Sequence, residues 1–114
     1  MTAAEFRQIA LSLPETVESS HINHPDFRVR GKIFATLGYP NDRFGVVVLT
    51  PDAQQELMGR YPKVFSAVSG DWGRRGSTQV LLQAGNRHVL EPAMKCAWRK
   101  VAPKRLAKQL DPGA

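Results

Sequence analysis

Two arginines set between two glycines are the most chemically suggestive feature of this chain. The stretch Trp72-Gly73-Arg74-Arg75-Gly76-Ser77 offers guanidinium forks that match phosphate oxygens two at a time, beside an indole that can anchor or stack. Glycines let the backbone of such a tip turn freely and approach a ligand closely. No lysine follows where a nucleotide-binding P-loop requires one, so the chemistry is anion contact. The plainer expectation for Trp72 is a place in the core beneath a solvated hairpin tip. A second cationic group, Arg28-x-Arg30-Gly31-Lys32, falls at a turn between two strands, with residues 28 and 30 on one face by the period of two. Its plainer reading is an edge blunted by charge against pairing with another sheet.

Catalysis and metal binding find less support. Ser19, Ser20, His21, His24 and Asp26 crowd the stretch SSHINHPD, yet nothing there marks a strained nucleophile turn, and the stretch reads as a strand edge running into a loop. His21-x-x-His24 with Asp26 has zinc-type ligands, without a fourth ligand or the H-E-x-x-H spacing. Cys96 lies opposite the apolar face of its helix, near Arg99 and Lys100, and has no sequence partner for nucleophilic chemistry. The expectation is a non-catalytic protein without metal or other cofactor.

The elements that must position these residues are legible in turn. Thr2 and Glu5 form a capping box, and Phe6, Ile9, Ala10 and Leu13 give one apolar face, so a helix is predicted over 2–13, ended by Pro14. Short apolar and β-branched runs predict strands at 17–22, 26–30, 32–38 and 44–49. They are separated by Asn23-His24-Pro25, by Gly31, and by Gly38-Tyr39-Pro40-Asn41-Asp42 as a type I turn with Pro40 second. Thr50-Pro51 starts a helix with Leu57, Met58 and Tyr61 on its apolar side. Residues 66–83 read as a hairpin with the tip SGDWGRRGS. The last long helix carries Leu90, Met94, Ala97, Trp98 and Val101 on one face and is predicted to start near 88–89, placing Pro92 in its first turn. After Pro103, Leu106 and Leu110 mark another turn or two of helix. The sum is one α+β domain over 1–114, an antiparallel sheet with helices packed on one face.

Composition bounds the partners. The chain has 114 residues, 42% of them apolar and 23% charged, the balance of a globular domain. Its formal charge of +6 is unevenly placed. Residues 93–114 hold six cations (Lys95, Arg99, Lys100, Lys104, Arg105, Lys108) and one acid, Asp111, while residues 1–92 are nearly neutral, with ten cations and nine acids. A localised positive field favours anionic partners, although such residues also serve simply to solubilise a helix. One cysteine allows no internal bridge, no apolar run approaches the ~20 residues of a membrane span, and MTAAEFRQ lacks a signal-peptide pattern. A soluble, cytoplasmic monomer that binds no membrane is expected. Two basic hairpin tips and a basic C-terminal helix suit nucleic acid, since β-ribbons enter the major groove and phosphate contacts set register.

The run HPDFRVRGKIFATL, the loop GDWGRRGSTQV, the ending AWRKVAPKRL and the opening LSLPETVESS together resemble the MmcQ/YjbR family of small bacterial proteins, over about residues 5–107. The resemblance implies a frataxin-like (CyaY-like) α+β fold and a DNA-binding role, the latter by likeness to the double-wing domain of a phage transcription activator. Iron chemistry does not carry over, because the first helix has only Glu5, beside Arg7, where an iron-holding ridge needs a cluster of carboxylates. Mapped onto this chain, the double wing makes Arg28, Arg30 and Lys32 one tip and Arg74 and Arg75 the other, with Lys95, Arg99, Lys104 and Arg105 as flanking phosphate contacts. Double-stranded DNA is the expected partner. The alternative is a module that takes a small anion or an acidic peptide at the Trp72–Ser77 loop.

Overall fold

The computed structural model describes residues 1–110. In chain order these form α1 (Ala3–Leu11), β1 (Thr16–His21), β2 (His24–Val29), β3 (Lys32–Leu37), β4 (Phe44–Val48), α2 (Pro51–Arg60), β5 (Phe65–Ala67), α3 (Asp71–Arg74), β6 (Ser77–Leu81), α4 (Arg87–Val101) and α5 (Lys104–Leu110). All six strands join one antiparallel sheet in the order β1-β2-β3-β4-β6-β5.

Local signals set the helix starts. The capping box of α1 is complete: Thr2 Oγ1 accepts from Glu5 N, and the Glu5 carboxylate accepts from Thr2 N, both at 3.1 Å. The helix ends at Leu11, with Ser12 as its cap, short of Pro14. Thr50 caps α2 and Pro51 takes the first position, where its missing N–H breaks no bond. Asn86 caps α4 and starts it at Arg87, so Pro92 lies in the second turn rather than the first. There it leaves the carbonyl of His88 without its helical donor, and its exposed position lets water take that place.

Two turns differ from the sequence expectation. The β1–β2 reversal is a two-residue turn at Ile22 and Asn23, both at positive φ, and His24 and Pro25 already belong to β2. Pro25 precedes the first residue paired with β3, Asp26, so its missing N–H breaks no bond to that strand. Between β3 and β4, the Tyr39–Pro40 bond is cis and the reversal pivots on Asp42 and Arg43: Phe44 N donates to Asn41 O at 3.1 Å, and Arg43 N to Asn41 Oδ1 at 3.0 Å.

The core lies between one face of the sheet and the long helices. Phe6 and Ile9 of α1, Leu13 beyond its end, Leu90, Met94 and Trp98 of α4, and Leu106 of α5 cluster with Phe27, Val29, Ala35, Val47 and Val80 of the sheet. Leu57, Met58, Tyr61 and Val101 pack against the same cluster. The first and last helices therefore share one side of the sheet, as the periodicity requires. Trp98 is fully enclosed, and its indole N–H donates to Pro14 O at 3.1 Å.

Register gives this sheet two distinct ends. At one, Val29 stands opposite both Thr16 and Lys32, Val48 stands opposite Ser77, and α3 leads directly into β6. The Trp98–Pro14 bond brings the C-terminal half of α4 to this α3 end. At the other, the Met1 ammonium donates to Leu82 O and Gly85 O, beside the start of α4. The fifteen residues of α4, about 22 Å of helix, run from this Met1 end to the α3 end.

Candidate functional site

The Trp72–Ser77 segment is not a freely turning tip. Its first part forms the short helix α3, seated hard against the strands. A Cβ on Gly73 would lie 1.6 Å from Val68 O, and one on Gly76, at φ +117°, would lie 1.8 Å from Leu49 O. Both glycines thus serve close approach of the segment to its own scaffold, which corrects the expectation that they free it to meet a ligand. A buried amide adds a polar pin: Gln54 Nε2 of α2 reaches Gly73 O, Ser77 O and Thr78 Oγ1 at 3.0–3.2 Å. Trp72 is 67% exposed, which overturns its expected place in the core. A four-residue helix places only one or two side chains inward, and here Gly73 takes that position. The guanidinium of Arg75 sits 5.9 Å from the centre of the indole ring, while Arg74 pairs with Asp71. Among the described residues no carboxylate forms an ion pair with Arg75.

The Arg28–Lys32 group is divided by its ion pairs and by the two sides of the sheet. Arg28 donates to both oxygens of Asp26, Nε to Oδ1 at 2.7 Å and Nη2 to Oδ2 at 3.0 Å, and His21 Nδ1 lies 2.7 Å from Oδ2. Asp26 is fully buried. The Arg28 guanidinium holds its carboxyl below the ordinary carboxylate range against the opposing pull of burial, and His21 adds to the lowering. Arg30 makes the same two-pronged contact with Glu15, at 2.8 and 3.2 Å, and lowers that carboxyl too. Two of the three cations are therefore paired at short range, Arg28 with a buried carboxylate and Arg30 with an exposed one. The third, Lys32, has no such partner among the described residues, and it points elsewhere. Arg28 stands opposite Ile33, Phe27 stands opposite Ala35, and the extra residue between them is Phe34, a β-bulge. Lys32, opposite the core residue Val29, falls on the helix-covered side of the sheet, whereas Arg28 falls on the other.

The C-terminal cations lie on α4 and α5. Arg99, Lys100, Lys104 and Arg105 are exposed and Lys95 is half-buried. From residue 92 to 110 the sequence contains no carboxylate, and Glu91 is engaged with Arg87 at 3.0 Å. Asp111 lies outside the described residues. The register brings this segment, Lys32, and the Arg74–Arg75 pair to one end of the sheet. The β2–β3 turn and α3 are separated there by three inter-strand steps, about 14 Å at ~4.8 Å each. Arg43 and Lys63 sit at the Met1 end, next to β4 Phe44 and to Val64, whose carbonyl accepts from Leu81 N. A shallow cleft lined by Glu18, Ser19, Ser20, Asn23 and Pro25 flanks the β1–β2 hairpin and contains no cation.

Gln54 was not singled out by sequence reasoning, although a signal exists. It continues the apolar stripe of α2 at the spacing Gln54, Leu57, Met58, Tyr61, where a polar residue must find buried partners. Asp71 gave no such signal beyond being three residues from Arg74.

The comparisons with known proteins bear separately on fold and on family. The crystal structure of the Deinococcus radiodurans protein DR2400, with a DUF419 domain, superposes with a TM-score of 0.72 at 17% identity, covering 96% of this chain and 88% of that one. At that identity the likeness concerns the fold. No curated protein matches the sequence. The sequence profile of the YjbR family matches residues 11–100, which include both arginine turns, the α3 segment and most of α4, and on that match this chain belongs to the YjbR family.

Proposed function

We propose that the α3 end of the sheet binds the phosphate backbone of nucleic acid and carries out no reaction on it. The observation that supports this most is the gathering of Lys32, Arg74, Arg75 and the acid-free stretch of α4 and α5 at one end of the molecule. Phosphate contacts from Lys and Arg supply sequence-independent affinity and release counterions. Arg28, held by the buried Asp26, takes no primary part, and Arg30, in an exposed pair with Glu15, is a secondary contact, so the symmetrical two-tip arrangement gives way to one dominated by α3 and the C-terminal helices.

The test is a fluorescence-anisotropy titration with labelled oligonucleotides at several salt concentrations. Replacing Arg74 and Arg75 together by alanine is expected to weaken binding and to reduce the log–log salt slope by about 1 per lost contact. Lys63→Ala, at the Met1 end, is expected to leave both unchanged. Equal effects from the two variants, or no binding at low salt, would overturn the proposal. Displacement of the oligonucleotide by an acidic peptide at equal concentration would favour the peptide-binding module instead.

A further inference from the structure

We propose that Trp72 is a stacking platform for one unpaired base, so that the α3 end selects single-stranded over fully paired nucleic acid. The inference rests on the reading above and names the substrate class of that site. Trp98, Phe6, Phe27, Phe34 and Phe65 are all at most 2% exposed, whereas Trp72, as large as any of them, is 67% exposed. An indole left in water forfeits the burial that places such residues inside. Its surroundings do not make it a floppy surface side chain. Gly73 and Gly76 seat α3 against Val68 and Leu49, and Gln54 ties two of its neighbouring carbonyls, so the ring rises from a fixed base. The Arg75 guanidinium lies over the ring at 5.9 Å from its centre, and Trp72 remains 67% open to solvent.

A planar, largely exposed ring, held beside two guanidinium groups, fits a nucleotide in both its parts. The base stacks on the indole, and the phosphates to either side meet Arg74 and Arg75. In a duplex the π-faces of the bases are hidden in the stack, so only an unpaired or splayed base can reach Trp72. The Arg74–Asp71 pair is exposed on both sides and gives way to a phosphate at little cost.

The experiment uses the intact protein with a short oligothymidylate and with a blunt duplex of mixed sequence. The chain holds two tryptophans and Trp98 is fully buried, so intrinsic emission that responds to added oligonucleotide reports Trp72. Oligothymidylate is expected to quench that emission. Trp72→Ala is expected to weaken oligothymidylate binding about tenfold while changing duplex binding by less than about twofold. Trp72→Phe is expected to lose the quenching and keep most of the affinity. An unchanged thermal melt of Trp72→Ala would show that its fold is intact. If Trp72→Ala binds oligothymidylate as the parent does, or loses equally on both probes, stacking is overturned, while a loss in the Arg74/Arg75 double variant leaves backbone binding standing. If the parent protein binds neither probe at low salt, both readings fall together.

Discussion

Trp98 stands on a fifteen-residue helix with no exposed surface, and Trp72 stands on a four-residue helix with 67% of its surface exposed. The first is surrounded by core side chains and its one polar atom is satisfied by Pro14 O. The second has the Arg75 guanidinium 5.9 Å from its ring centre and stands mostly in solvent. One residue type thus occupies two opposite environments in one chain. Where the apolar period is long, the indole contributes to the fold; where the period is too short to have a face, the indole is left in solvent.

The contrast can be pressed by substitution. The largest effect is expected at Trp98, where Trp98→Ala should lower stability by ~3–5 kcal/mol in chemical denaturation, while Trp72→Ala should stay within about 0.5 kcal/mol. Similar losses at the two positions would dissolve the distinction. Next comes the seat of α3. Gly73→Ala forces a methyl onto Val68 O and should cost about 2–3 kcal/mol, and it should also disturb the Trp72–Arg75 contact, read as a shift in the emission of the exposed indole. A stable Gly73→Ala protein with unaltered emission would mean that α3 is loosely held.

The smallest effect concerns Asp26. Its carboxyl titrates lower in the folded than in the unfolded chain, so the stability it contributes is present above the ordinary carboxylate range and is lost as pH falls below about 4. Asp26→Asn should flatten that acid limb. At neutral pH it should cost only about 1–2 kcal/mol, because the Arg28 partner is 32% exposed and water takes up part of its charge. An acid limb unchanged by the substitution would assign the low-pH loss to other carboxylates.

How much of this was written in the sequence depends on range. The capping box of α1, Thr50-Pro51 at the head of α2 and the buried stripe of α4 are read within a few residues, and the structure has them. The strand limits also fall within a residue or two of the periodic runs. Trp72 was misplaced because a run of six residues with two glycines carries no period from which a face can be read. The pairing of Arg30 was invisible for another reason. Glu15 is fifteen residues away, and only the pairing of β1 with β2 brings the two together. Arg28 and Asp26, two apart on one strand, were within reach of the period of two. Counting cations located the basic segments, but which of them keep their charge free was decided by tertiary contacts.

The bulge at Phe34 bears on where this surface carries its charge. A strand alternates its side chains, and the bulge absorbs one extra residue, so the positions on its two sides are out of step by one in sequence while staying in phase with β2. With the bulge, Lys32 shares its side of the sheet with α4 and the basic C-terminal stretch, and Ile33 shares the other side with Arg28. Were β3 instead to pair with β2 residue for residue through Phe34, Lys32 would cross to join Arg28 and Ile33 would turn toward the helices. The bulge, rather than the number of basic residues in the chain, is what distributes positive charge between the two sides of this molecule. A chain of the same composition whose β3 paired without it would carry the same formal charge and present it to opposite neighbours.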